Sequence, residues 1–260
     1  SAEELHEVPH HLVNIFEIDQ AYDVQQFLNL AKQAIDDIHS RGKIPFLTGG
    51  TGLYARILLY GADLLASDKE LAKQIRREYE EQGLEALIKE LALTDPETAE
   101  RVAANPRHVM RALEVIRLTG KKIPHKSSWQ SEVLYPGHQF ILIPDAEYSR
   151  ERIRKRCGEM LKEGWIEETE SLVKQGLLES PTAIQSLGYR DIAQYLDGTF
   201  EGDFSVLQER LSTLTSRYAK RQRTWFRNQH PGAQVFNYKK ADEFKQVAQN
   251  IRQILKDSLG

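Results

Sequence analysis

The chain has 260 residues, with 35 Lys+Arg against 38 Asp+Glu, a formal charge of −3 and 40% hydrophobic residues. That is enough apolar material for a buried core, which excludes a disordered or fibrous chain and suggests one large domain or two interleaved ones. The single cysteine, Cys157, excludes a disulfide framework and makes a reducing cytoplasm the expected compartment. Apolar stretches such as Ile44–Leu47 and Ile57–Leu59 are far shorter than the ~20 residues of a membrane span, and Ser1–His6 lacks the basic and apolar regions of a secretory signal. No membrane partner is expected.

From Ala21 to Ser40, Val24, Phe27, Leu28, Ala31, Ala34, Ile35 and Ile38 repeat with the period of an amphipathic helix, and Arg41-Gly42 ends it. Lys43–Thr48 then reads as a short buried strand, although Pro45 removes one ladder donor. Gly49-Gly50-Thr51-Gly52 reads as a tight turn into a helix over Leu53–Tyr60. A helix, strand, glycine turn and helix in succession predict an α/β fold with a parallel sheet.

Between about Asp68 and Thr119 the composition shifts to charged helical repeats. Ser67-Asp68 and Thr94-Asp95-Pro96 are candidate N-caps, and Gly83 and Gly120 candidate stops. Leu84, Leu87, Ile88 and Leu91 form one apolar stripe; Val109, Ala112, Leu113, Val115 and Ile116 form another. A connector from Lys121 to Gly137 leads to a strand over Phe140–Ile143. Helices follow at Tyr148–Lys162, Ile166–Gln175, Gly188–Leu196 and Val206–Arg227. Because that strand needs a sheet and the earlier strand candidates all precede Gly61, the block from 64 to 137 is read as a helical insertion. The α/β core is then 1–63 with 138–260.

Four stretches are candidates for chemistry. Thr48–Tyr54 follows a strand and opens a helix, where free N–H groups favour an anion, but the lysine of a GxxxxGK[ST] phosphate loop is missing. Arg152 and Arg156 share a helix face that could hold phosphate or simply pair Glu151 and Glu159. Ala183–Ile192 reads as a loop entering a helix, with Gly188 allowing a close backbone approach. The fourth is Arg217–Arg227.

No Asp or Glu occurs from Arg210 to Ala241, while Arg210, Arg217, Lys220, Arg221, Arg223, Arg227, Lys239 and Lys240 all do. On a helix, Arg217, Lys220, Arg221 and Thr224 align with Arg227 or Asn228, with Tyr218, Gln222, Trp225 and Phe226 on the other flank. A basic face without interleaved acids, mixed with Gln, Thr and Trp, suits phosphate and base contacts in a nucleic acid. His10 and His11 have no partners spaced to form a metal site, so no residue is assigned to a metal.

Pro9-His10-His11-Leu12, Gly42-Lys43-Ile44-Pro45, Gly49–Tyr54, Arg107 through Glu114, Leu187-Gly188-Tyr189-Arg190, Ala219-Lys220-Arg221-Gln222 and Thr224-Trp225-Phe226 together resemble the bacterial tRNA dimethylallyltransferase family. Order and spacing agree over essentially the whole chain. The resemblance implies a P-loop NTPase-like parallel-sheet core with an inserted all-helical domain that grips the tRNA anticodon stem-loop. It implies transfer of a dimethylallyl group from dimethylallyl diphosphate to N6 of adenosine 37, helped by Mg²⁺, in a cytoplasmic monomer.

By that resemblance Thr51 and Arg156 are assigned to catalysis, and Gly49 and Gly50 to cofactor binding. Arg107, His108, Arg111, Gln185, Gly188, Tyr189, Arg190, Lys220, Arg221, Gln222, Thr224, Trp225 and Arg227 are assigned to tRNA. Lys73 stands where some members carry Arg. Family members also begin with a strand, a GPTxxGKT phosphate loop and an Asp-Ser motif, and Ser1 corresponds to a point just after these. The chain is therefore expected to be a fragment lacking about 55 residues, poorly soluble alone, that binds tRNA without turning over. Two other readings accompany this one: a prenyltransferase acting on free adenine nucleotides, and a non-catalytic RNA-binding remnant.

Overall fold

The computed structural model describes residues 8–61, 67–123, 133–180, 182–230 and 232–259. The chain divides into two compact units, one formed by residues 1–59 with 135–260 and the other by residues 60–134.

The 60–134 unit is helical: α3 (Lys69–Gln82), α4 (Leu84–Thr94), α5 (Pro96–Val102) and α6 (Pro106–Thr119). Each start has a local cause. Asp68 accepts from the Leu71 N–H at 2.8 Å, Asp95 from the Thr98 N–H at 3.1 Å and Asn105 from the Arg107 N–H at 3.1 Å, which satisfies orphan donors of the first turn. Pro96 and Pro106 occupy first-turn positions, where a missing N–H costs nothing. Gly120, at φ +66°, ends α6 in the left-handed conformation that glycine adopts without strain. The apolar stripes meet in one core of Ile75, Leu87, Leu91, Ala99, Val109, Ala112, Leu113 and Ile116.

Two carboxylate clusters pin this core. Arg117 of α6 bonds both oxygens of Glu78 on α3 and both of Glu90 on α4, at 2.7 to 3.1 Å. Hydrogen bonds from Arg117 hold the Glu78 carboxyl below its ordinary range. Glu114, only 5% exposed, accepts from the Ser67 hydroxyl at 2.8 Å, the Asp68 N–H at 2.9 Å and the Arg111 guanidinium. A buried carboxylate with three donors avoids the penalty of an unsatisfied charge.

The other unit holds α1 (Val24–Ser40), nearly all of α2 (Gly52–Tyr60), β1 (Phe140–Pro144), α7 (Ala146–Lys162), α8 (Trp165–Lys174), α9 (Tyr189–Asp197), α10 (Phe204–Gln229), β2 (Gln234–Tyr238) and α11 (Ala241–Leu259). Single 3₁₀ turns occupy Leu177–Glu179 and Ala183–Gln185. β1 and β2 run parallel, from Phe140 opposite Gln234 to Pro144 opposite Tyr238. The connection between them contains α7 through α10, as a parallel pair requires a crossover. α7, α8, α9 and α10 enclose a core of Cys157, Leu161, Trp165, Ile192, Leu207 and Leu211. Burying each leucine here contributes on the order of 2 kcal/mol.

The mixed α/β class expected from sequence is the one found, but two local expectations are corrected. Lys43–Thr48 is not a strand: Ile44, Phe46 and Leu47 are 53%, 71% and 48% exposed, and no ladder hydrogen bond joins the segment to β1 or β2. A strand exists only where a neighbour accepts its backbone groups, and among the described residues none lies beside this one. The partner of β1 comes from after it in sequence, not from before Gly61, and neither β2 nor α11 is among the elements expected from sequence. The connector over 124–132 lies outside the described residues, as does His6.

Arg117→Met is expected to lower stability by about 1–2 kcal/mol in urea unfolding, because it leaves Glu78 and Glu90 facing each other without their shared donor. An unchanged midpoint would show that the three-helix clamp contributes nothing.

Candidate nucleic-acid interface

α10 is a helix of two halves. Asp203 caps its start by accepting from the Ser205 and Val206 N–H groups at 2.9 and 3.0 Å, and Leu207 and Leu211 are fully buried. Arg210 still pairs with Asp191 of α9 at 2.9 Å. Beyond it Arg217, Lys220, Arg221, Arg223 and Arg227 make no ion pair among the described residues, and no acid lies between them in sequence. Arg221 lies over the Tyr218 ring at 5.7 Å.

The opposite flank of the same half locks onto the glycine turn. The Gln222 amide donates to the Gly50 carbonyl at 2.9 Å. A Cβ on Gly50 would stand 2.1 Å from Gln222 Nε2, and one on Gly52 would stand 2.1 Å from Trp225 Cδ1. Only glycine permits this approach. One turn further along α2, Arg56, 7% exposed, donates to the Gln229 carbonyl at the end of α10. His230, 6% exposed, follows it, stacked on Phe226 with ring centroids 5.2 Å apart. Burial, and next the Arg56 charge, push the His230 pKa below its ordinary 6.5, against a hydrogen bond to the Gly52 backbone.

The residues assigned from sequence thus separate into groups. Lys220, Arg221, Thr224 and Arg227 are exposed on the basic face, whereas Gln222 and Trp225 are partly buried against Gly50 and Gly52. Gly49 is exposed with open space around it, and Gly50 has the Gln222 amide where a Cβ would stand. Thr51 is exposed, its carbonyl accepting from the Tyr54 and Ala55 N–H groups that begin α2. Arg156 is exposed on α7 without an ion pair among the described residues, and no hydrogen bond joins it to Thr51.

At the start of α9, Gly188 has φ +97° and would carry a Cβ 2.6 Å from the Trp165 ring. Tyr189 stacks edge-on against Trp165 and donates its hydroxyl to Glu168 at 2.7 Å. Burial, and then that carboxylate, push the Tyr189 pKa up to about 12. Gly188 and Tyr189 are thus committed to packing, while Gln185 and Arg190 stay exposed. In the 60–134 unit, Arg107 and His108 are exposed on the first turn of α6, and Arg111 is held by Glu114. Among the described residues no three His, Cys, Asp or Glu cluster as a metal site, so these residues do not by themselves form a cage for Mg²⁺. No described helix is long and apolar enough to cross a membrane.

The model of the family described as IPP transferase matches residues 1–229, from before α1 to the last residue of α10. The chain belongs to the IPP transferase family. It is 38% identical over 264 residues to a tRNA dimethylallyltransferase of Geobacillus thermodenitrificans, covering 96% of this chain and 82% of the relative. Among solved structures, the full-length tRNA isopentenylpyrophosphate transferase of Bacillus halodurans superposes with a TM-score of 0.67 at 32% identity, over 98% of this chain and 80% of that one. A eukaryotic dimethylallyltransferase described as acting on tRNA has the same fold at 23% identity, with a TM-score of 0.81 over 100% of this chain and 67% of that one.

Within this IPP transferase, sequence reasoning passed over Arg56, His230 and the role of Gly52. Arg56 did carry a signal: it is the one charge in the apolar helix GLYARILLY, and a lone cation in such a helix needs a built-in acceptor.

Gly52→Ala is expected to cost about 2–3 kcal/mol in urea unfolding, since Trp225 must move, while Gly49→Ala stays near neutral. Equal midpoints for the two would remove the close approach from the account. His230 binds its proton more weakly folded than unfolded, so its contribution is full above pH ~6.5 and is lost as pH falls through the folded-state value. Wild type should therefore lose more stability than His230→Gln between pH 7.5 and 5.5, ~1 unit to either side of the unfolded pKa; parallel losses would exclude His230 as a cause.

Proposed function

We propose that this IPP transferase is a tRNA dimethylallyltransferase, moving a dimethylallyl group from dimethylallyl diphosphate to N6 of adenosine 37, beside the anticodon. The reading is carried by the acid-free basic half of α10, held against the glycine turn in a chain whose relatives are named for this activity. A tRNA presents a line of phosphates to such a face; a mononucleotide presents too few to engage cations spread over three turns.

In the reaction an N–C bond forms at the amine, the C–O bond to diphosphate breaks, and the amine's proton passes to the departing diphosphate or to water. The diphosphate leaves with its charge, which an exposed guanidinium without a protein counterion, Arg156, is suited to neutralise. Thr51, at the mouth of the turn, is assigned to the reacting end. The target base must leave its stack for its amine to reach the allylic carbon.

In this reading Lys220, Arg221, Thr224, Arg227, Arg190 and Gln185 meet the RNA directly, as do Arg107 and His108 on the helical unit. Gln222, Trp225, Gly188 and Tyr189 hold those residues in place. Mg²⁺, which the family resemblance brings with the diphosphate, has no carboxylate cage among the described residues, and no step runs through it. The lone, buried Cys157 supports a reducing, cytoplasmic setting.

The test offers unmodified tRNA and free AMP together with labelled dimethylallyl diphosphate, and follows tRNA retention at low salt. Label in tRNA, at the adenosine on the 3′ side of the anticodon, is the outcome that supports this reading over the expectation of binding without turnover. Label in AMP alone would assign the protein to the nucleotide-acting class, and tRNA retention without any transfer would make it an RNA-binding protein.

A further inference from the structure

The unit formed by residues 1–59 and 135–260 also carries a cleft of about 710 Å³ at the carboxyl ends of β1 and β2, walled by the basic face of α10. Ligands of open α/β sheets bind at this edge, where strands end and helices begin. Here the parallel register sets Pro144 beside Tyr238, so the residues that follow each strand, Asp145 and Lys239, both reach the cleft. Lys220, Arg223 and Arg227 line it from α10, and Glu243 from the first turn of α11.

The charges do not cancel. Asp145 accepts from the Glu147 and Tyr148 N–H groups at 2.9 and 3.3 Å, and Glu243 accepts from the Lys239 N–H at 2.6 Å, so both carboxylates are engaged by backbone. None of the four cations forms an ion pair among the described residues. Four cations against two carboxylates leave the cleft positive. Like charges on one concave surface repel, and an anion that enters relieves the repulsion.

We infer that this cleft is a phosphate site of the RNA interface, in which Arg223 and Lys239 join Lys220 and Arg227 in gripping a backbone phosphate. The inference rests on the tRNA reading above. Arg223 offers a planar fork to two phosphate oxygens and Lys239 a compact charge from the opposite wall. Arg223 lies within the basic stretch Arg217–Arg227 but is not among the residues assigned to tRNA, and Lys239 lies beyond the residues matched by the family model. The ligand is a backbone rather than a free diphosphate because the positive face continues outside the cleft through Arg217 and Arg221. From Arg217 to Arg227 it runs about 15 Å along the helix, longer than one diphosphate.

The test measures tRNA affinity of the full chain against salt for wild type, Arg223→Gln with Lys239→Gln, and Arg223→Lys alone. The double variant should bind about tenfold more weakly at low salt, with a log–log salt slope shallower by about 1–2, while Arg223→Lys keeps most of the slope. Melting temperatures identify a folding defect, in which case Arg223→Gln alone is read, with a loss of about half the slope change. Wild-type affinity and slope in a variant that melts like wild type would overturn the inference alone; wild type that fails to bind tRNA would overturn it together with the tRNA reading. Inorganic diphosphate is the second arm. Displacement of tRNA at micromolar diphosphate from wild type but not from the double variant would assign the cleft to a small anion and overturn the backbone assignment.

Discussion

The approach of α10 to the glycine turn is the constraint on which the rest of this interface depends. Gln222 and Trp225 occupy the volume that side chains at positions 50 and 52 would fill, so the turn and the helix are positioned by what the two glycines lack. The consequence reaches both ends. On one side it fixes Thr51 at the start of α2; on the other it fixes which face of α10 is left to solvent. Arg56 and His230 close the same contact one turn further on, and the neutral imidazole suits a pocket already shared with a guanidinium.

That geometry explains why an unpaired basic face can persist on a protein that is slightly acidic overall. Repulsion among Arg217, Lys220, Arg221, Arg223 and Arg227 is a standing cost, and elsewhere the chain removes such costs with ion pairs, as Arg117 shows with Glu78 and Glu90. On α10 the apolar anchors Leu207 and Leu211 hold the first half of the helix, and Gln222 and Trp225 hold the second. The cations are thereby left to an external anion. Packing supplies the rigidity, and the charge is kept for recognition.

Much of this was legible in the sequence. Helical periods marked the helices other than α11 to within a few residues because local spacing and caps such as Asp68, Asp95 and Gly120 decide them. The basic face was legible because the absence of acids between Arg210 and Ala241 is a fact of composition. Pairing was not. Lys43–Thr48 has the composition of a strand and lacks a neighbour among the described residues, while Gln234–Tyr238 has a neighbour in β1 that sequence distance hides. Orientation within motifs was also hidden. A helical wheel puts Gln222 and Trp225 on the flank away from the basic stripe, but only the fold reveals that they face Gly50 and Gly52.

The motif LGYR shows why this distinction matters for function. Gly188 and Tyr189 are as prominent in the resemblance as Arg190, yet Gly188 lies against the Trp165 ring and the Tyr189 hydroxyl is donated to Glu168. A phenol whose pKa is raised to about 12 by burial and a neighbouring carboxylate is a committed donor inside the fold. Its loss would act by loosening α9 against α8, and Arg190, on the next residue, would lose its position with it. The same division runs through Gln222 and Trp225 beside Lys220, Arg221 and Arg227. In each motif an inward pair sets the backbone and an outward cation is left for the ligand, so motif-wide sequence similarity records the framework of the interface as much as its contacts.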